Sequence, residues 1–173
     1  MTVCFQTETL DAVRGEVLPL LQAHFEEIAH FQDIPLDPEW EVYDALEMNG
    51  ALRIYTVRDN DATLVGYAVF FVRRSPHYRG SLQAVQDILF LVPALRGQML
   101  GARFVRWCDD QLRVEGVQVV RHHVKAAHDF GPLLERLGYE LEDRIYVRRL
   151  DRPARVARET ILAAHAGLGS EGV

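Results

Sequence analysis

Cysteine is scarce in this chain of 173 residues: there are two, Cys4 and Cys108. Two are too few for a disulfide framework, and Cys108 falls on the apolar side of a predicted helix, which points to a reducing compartment. No apolar run approaches the roughly 18–20 residues that a membrane span needs. The opening MTVCFQTETLD has no basic region followed by an apolar run, so no signal peptide is expected. Positive charge is not in excess either. The formal net charge of −6 argues against a nucleic-acid partner, which would favour a basic face. Strict phosphate motifs are missing: Gly97 and Gly101 have three residues between them, so GxxxxGK(S/T) fails, no lysine follows, and GxGxxG fails too. There is no G-x-S-x-G elbow, and neither cysteine has a reactive context. With 49% apolar and 25% charged residues the chain has the makings of an ordinary packed core. These features predict a cytoplasmic protein with no membrane and no nucleic-acid partner. One domain is expected over 1–150, with a C-terminal helix or tail over 151–173 belonging to it.

The stretch VQDILFLVPALRGQMLGARFVRW (85–107) stands out. It reads as a buried strand that runs through Pro93 into a glycine-bearing turn and then into an amphipathic helix, with Leu100, Phe104, Cys108 and Leu112 recurring every four residues. A helix start offers N–H groups without intrahelical partners, together with the positive end of the helix dipole, so this corner is a natural anion site. Upstream, Val13, Val17, Leu20, Leu21, Phe25 and Ile28 predict a helix over 9–31, capped by Thr9 or Asp11 and disturbed at Pro19. A second helix is expected over 37–50, with Asp37 as cap and Pro38 at its first position. Strands are predicted over 51–58 and 63–74, joined by an Asp-Asn-Asp-Ala loop, and over 84–92. After the helix over 98–115 come a strand (117–126), a short helix (130–138), a pair of strands (139–141 and 144–150) and a terminal helix (152–167). A further strand before the first helix fits the order. A crossover from 84 to 126 needs a parallel pair and the hairpins need antiparallel ones, so the fold class is α/β with a mixed sheet flanked by helices on both faces.

VPALRGQMLGARFVRW resembles the acetyl-CoA signature of the GNAT N-acetyltransferases, in which a buried strand ends in V-x-P and the pattern Q/R-x-x-G-x-G/A opens a helix. That pattern maps onto Arg96, Gly97, Gln98, Met99, Leu100, Gly101 and Ala102, with Met99 where the family has its first glycine. Met99 is tolerable if its φ stays negative. GPLLERLGYELEDRIYVRRL resembles the C-terminal helix-then-strand segment of the same family, and HYRGSLQAVQDILFLVP with LLERLGY resembles its phage and prophage branch. The resemblance implies an acetyl-CoA-dependent N-acetyltransferase acting on a small-molecule or peptide amine by direct attack in a ternary complex, without a metal. A non-catalytic CoA-binding module and a phage-associated interaction protein are the alternatives on the same fold.

The resemblance also implies a site. Backbone groups of Phe90, Leu91 and Val92 would pair with the pantetheine amides. N–H groups from Gln98 to Ala102, with Arg96 and Gly97, would hold the pyrophosphate. The thioester would lie near Leu89 to Leu91. A neutral amine is needed for attack, so a base is expected. Asp87 is the first candidate, placed by strand alternation on the face of Val85, Leu89 and Leu91. His122 and His123 are the others. As neighbours on a strand they point to opposite faces and do not share a metal ion. The position where the family often carries an acid tyrosine holds Leu134. Glu26, Glu27, Asp33, Asp37, Glu39, Glu41, Asp44 and Glu47 are expected as acidic walls that favour a cationic acceptor. The loop His77-Tyr78-Arg79-Gly80 is expected to cover the site. A homodimer is compatible with the sequence, with 152–167 as the place for its contact.

Overall fold

Alternation, turn chemistry and one capping residue account for the order of elements in the computed structural model, which describes residues 2–97 and 99–152. Strand β1 (Cys4–Glu8) precedes helix α1 (Leu10–Ile28), whose N-cap Thr9 accepts a hydrogen bond from the Ala12 N–H. Pro19 lies within α1 without ending it. Helix α2 (Trp40–Met48) starts later than expected. Asp37 does not cap it, and Glu39 stands at the cap position without a side-chain bond. The hairpin β2 (Leu52–Arg58) and β3 (Leu64–Arg74) turns through a loop in which the Asp59 carboxylate accepts from the Asp61 and Thr63 N–H groups. Strand β4 (Leu82–Leu91) leads through a 3₁₀ turn (Pro93–Leu95) into α3 (Leu100–Val114), followed by β5 (Val119–Arg121) and α4 (Gly131–Arg136).

The five strands form one sheet in sequence order. All neighbours pair antiparallel except β4 and β5, which are parallel. The expected mixed sheet is therefore present, including the crossover through α3. On one face Tyr55, Val57, Ala68, Phe70 and Ala84 meet Leu100, Phe104, Cys108 and Leu112 of α3. On the other, Ile54, Tyr67, Val69 and Phe90 meet Leu10, Val13 and Val17 of α1, with Trp40 and Tyr43 of α2 packed alongside. Cys108 is buried on the apolar side of α3, as its position in the helix pattern predicts.

Two features fix the layers. Arg58 is buried and bonds both Glu8 on β1 and Glu16 on α1, while Thr56 donates to Glu8. Gly66 lets β3 approach the end of β4: a Cβ there would lie 2.3 Å from Leu91 Cδ2 and 2.9 Å from the Phe90 carbonyl oxygen.

The C-terminal expectations differ from the structure. Residues 1–140 form one compact unit. Residues 139–150 form no strand. The alternation is present, yet Leu141, Ile145, Tyr146, Val147 and Leu150 are exposed. Strand propensity records burial against neighbours, and without them it does not make a strand. The predicted strand over 117–126 shortens to β5 for a related reason, since its ladder to β4 ends at Arg121. The helix expected from 152 falls almost wholly outside the described residues, and with it the dimer contact. Among the described residues no helix is long and apolar enough to cross a membrane.

Two outcomes follow for stability. Gly66→Ala should lower it by about 1–3 kcal/mol through overpacking against backbone, read as a drop in the thermal midpoint. Arg58 and Thr56 hold the Glu8 carboxyl below its usual range, and Arg58 does the same for Glu16. Their contribution is complete above the ordinary carboxylate pKa and is lost as pH falls through the depressed folded values. Arg58→Met should cost about 3 kcal/mol at neutral pH, and less in acid, by denaturant titration across pH.

Candidate functional site

The site is built where β4 and β5 part. Their parallel ladder comprises Gln83–Val119, Ala84–Val120 and Val85–Arg121 and then stops. Beyond it β4 keeps β3 as partner on one edge only. The Val92 N–H bonds the Val65 carbonyl, and by alternation Phe90, opposite Tyr67, also turns its backbone groups to β3. Leu89 and Leu91 turn theirs the other way, into the opening between the strands. Of the three residues expected to pair with a pantetheine arm, only Leu91 is therefore placed to do so. Phe90 and Val92 are committed to β3, and Leu89 takes their place.

At the end of the opening, Gly97 and Met99 both adopt left-handed backbone, with φ of 84° and 61°. The Met99 φ is thus positive, contrary to the condition set from the sequence, and its side chain is 66% exposed. The first intrahelical bond recorded at the start of α3 runs from the Arg103 N–H to the Met99 carbonyl. The N–H groups of Leu100, Gly101 and Ala102 lie in the first helical turn, at the positive end of the dipole. Leu133 and Leu91 flank Gly101 at ordinary contact distances, 3.6 and 3.8 Å from where its Cβ would be. Gln98 lies outside the described residues.

Arg96 does something else than expected. Its backbone N–H bonds the Pro93 carbonyl, its Nε donates to the Leu91 carbonyl at 2.8 Å, and its two terminal nitrogens clasp the Glu27 carboxylate of α1 at 2.6 and 2.8 Å. The guanidinium also stacks on Phe90. His128, from the chain between β5 and α4, lies 2.8 Å from the same carboxylate. Arg96 is therefore a brace between α1 and the end of β4, with its donors directed away from an incoming anion.

Asp87 is the extra residue of a β-bulge: Val69 pairs with Ile88 and Phe70 with Gln86. The bulge breaks the alternation used to place it. Leu89 and Leu91 pack on the α3 side, whereas Asp87 accepts a 2.8 Å hydrogen bond from Tyr43 of α2 on the opposite face. Burial pushes its carboxyl above the usual carboxylate range, and the Tyr43 bond and the charges of His123 and Lys125 oppose that rise.

The two histidines diverge as expected. His122 joins the α3 face, with Nδ1 2.8 Å from Gln86 Oε1 and Nε2 3.2 Å from the Tyr139 hydroxyl, which donates to Asp109 at 2.5 Å. Burial holds its pKa down to about 4. With both nitrogens engaged it clamps the base of the opening, and this geometry removes it as a base candidate. His123 is exposed and acts on Asp87 through its charge.

Other expectations are corrected. The loop 77–80 is the turn between β3 and β4, closed by the Ser75 N–H on the Ser81 carbonyl. It sits beside Leu82, seven residues from Leu89 and so roughly 20 Å along the strand from the opening. Part of the acidic wall is structural: Glu27 holds Arg96, Asp44 pairs with Arg14, and Glu47 accepts from the Leu10 N–H at 2.7 Å. Leu134 is buried and has no acid function. Tyr43 and Gln86 were not anticipated, and Glu27 was expected in the acidic wall rather than as the partner of Arg96. Only long-range packing brings them to the site, and no local motif announces them.

No family model matches the sequence, and no curated protein does. Solved structures do. The ribosomal-protein-alanine N-acetyltransferase of Brucella melitensis biovar Abortus 2308 is 17% identical with a TM-score of 0.65, over 86% of this chain and 99% of that one. Glucosamine-6-phosphate N-acetyltransferase from Arabidopsis thaliana is 11% identical, with a TM-score of 0.65 over 87% and 100% of the two chains. A predicted acetyltransferase of Clostridium acetobutylicum, solved with acetyl-CoA, is 9% identical, with a TM-score of 0.64 over 86% and 97%.

The turn makes a paired prediction. Left-handed backbone costs a residue with a Cβ roughly 1–2 kcal/mol, so Met99→Gly should raise the thermal midpoint, less the extra flexibility glycine brings to the unfolded chain. Gly97→Ala should lower the midpoint, with a loss of about 1 kcal/mol.

Proposed function

From the GNAT acetyltransferase fold that the chain adopts, we propose that it is an acetyl-CoA-dependent N-acetyltransferase that acetylates a primary amine by direct attack in a ternary complex. One observation carries this reading: the β4 edge that loses β5 at Val85 lies between the start of α3 on one side and the Asp87–Tyr43 pair on the other.

Acetyl-CoA, when bound, supplies an acetyl group activated as a thioester. The fit rests on the backbone. The N–H groups of Leu100, Gly101 and Ala102 would hold the pyrophosphate. Leu89 and the N–H of Leu91 would pair with the pantetheine arm, and a backbone N–H of this edge would polarise the acetyl carbonyl. The Leu91 carbonyl is already held by Arg96 and is the weakest part of that fit. Asp87 would take the proton of the attacking amine, directly or through water. Tyr43 donates to Oδ2, which fixes the carboxylate and leaves Oδ1 for this task. The raised pKa makes Asp87 a better base than an ordinary carboxylate at neutral pH. The departing thiolate would take its proton from solvent or from the product ammonium, since Leu134 cannot donate one.

Calorimetry with acetyl-CoA should show binding at physiological concentrations, and its absence would sink the proposal. Asp87→Asn should lower kcat by about 10²–10⁴-fold, as for loss of a general base, with acetyl-CoA affinity nearly unchanged. Tyr43→Phe removes a bond that lowers the Asp87 pKa, so the acidic limb of the kcat/KM profile should move to higher pH. An unmoved limb would remove Tyr43 from the mechanism.

A further inference from the structure

We infer that the acceptor is a short aliphatic primary amine carrying one neutral hydrogen-bonding oxygen, seated between α1, α2 and the sheet, and that it is not a polycation. This deepens the acetyltransferase reading and rests on it.

Charge is the first argument. Glu27, Asp44 and Glu47 are engaged in structural contacts, and Glu26 accepts from Gln22. The charges acting on Asp87 are those of His123 and Lys125. A polyamine would bring its further ammonium groups against cations of the same sign.

Space is the second. A cavity of about 30 Å³ lies between the helices and the sheet, lined by Val13, Val17, Tyr43, Tyr67, Val69 and Ile88 among others. That is room for a small group, so the cavity takes the short end of an acceptor. Tyr43 connects it to the base, because its ring lines the cavity while its hydroxyl bonds Asp87. Ile88 follows Asp87 out of the bulge and lines the same cavity. A group held there leaves its amine beside the carboxylate.

The third argument is an unsatisfied atom. Tyr67 is 1% exposed, and its hydroxyl is buried without a hydrogen-bond partner among the described residues. Its ring lines the cavity, and both Tyr43 and Asp87 act on it electrostatically. Buried hydroxyls are nearly always paired, and an isolated one in an apolar lining marks where a ligand oxygen completes the site. A chain that is aliphatic except for one oxygen satisfies the lining and the hydroxyl together.

The test uses the full-length protein and CoA release with 3-aminopropan-1-ol, n-butylamine and spermidine. The first two have the same number of heavy atoms and differ by one oxygen. The expected kcat/KM for the amino alcohol is about tenfold above that for butylamine, the worth of one buried hydrogen bond, with spermidine lowest. Tyr67→Phe should abolish the preference for the amino alcohol over butylamine while leaving acetyl-CoA affinity and the thermal midpoint unchanged, because the hydroxyl has no partner among the described residues. Val13→Ala should shift the preferred alkylamine to a longer chain. Spermidine as the best substrate, or an amino-alcohol preference that survives Tyr67→Phe, overturns the inference. Acetyl-CoA binding without release on any of the three amines also overturns it and leaves the cofactor reading standing. No acetyl-CoA binding overturns both.

Discussion

Beyond the Val85–Arg121 pair, β4 keeps hydrogen-bonding partners on one edge and lacks a strand on the other. An edge of unpaired N–H and C=O groups inside a sheet is unfavourable unless something takes them. Here the Arg96 guanidinium takes the Leu91 carbonyl. At the other end of the opening, Gln86 and His122 bridge the strands by side chains just where the backbone ladder stops. The parting of the strands is thus bounded at both ends by polar contacts. The bulge at Asp87 belongs to the same device. It lets Gln86 face α3 and Asp87 face α2, so one short stretch of strand supplies a clamp on one side and a carboxylate on the other.

Helix α1 is held to the sheet near both of its ends by arginine. Arg58 reaches Glu16 in its first half, and Arg96 reaches Glu27 in its last turns. The apolar face of α1 is buried mainly through Leu10, Val13 and Val17, and Leu18 beyond them is already exposed. Hydrophobic burial therefore fixes the start of the helix, and the Glu27 ion pair fixes its end. That end stands over Phe90, where His24 and Arg96 both meet the ring. The position of α1 in turn sets the width of the space it shares with α2.

Much of this was legible in the sequence because it is local. Period-two alternation gave β2, β3 and β4, the four-residue repeat gave α3, and Thr9 marked the start of α1. The strand–turn–helix order over 85–107 is present as expected. Asp87 has other neighbours than alternation assigned it, because a bulge inserts one residue and no composition signal announces it. Arg96 was read as an anion ligand from its place in a motif. Its partner Glu27 lies 69 residues away, and a long-range ion pair leaves no local trace. The strands expected over 139–150 failed in the opposite direction: the pattern was there and the partner strand was not.

Met99 shows how such a turn can tolerate a residue that strains it. Pro93 and the 3₁₀ turn stop the chain from continuing β4, and the bonds from the Leu95 and Arg96 N–H groups to Val92 and Pro93 tighten it. Gly97 then turns left-handed at no steric cost, while Met99 does so at a cost. The strain is held because both flanks are fixed: Arg96 is bonded on one side, and Leu100 is buried against the sheet on the other. A chain pinned two or three residues apart has few paths between its ends, and the one adopted sends the Met99 side chain outward. That keeps the first helical turn clear of side chains, which a backbone anion site requires. Glycine at this place would relax the turn, whereas methionine is kept in it by its neighbours. The brace of Arg96 on Glu27 therefore helps to hold the turn in this form.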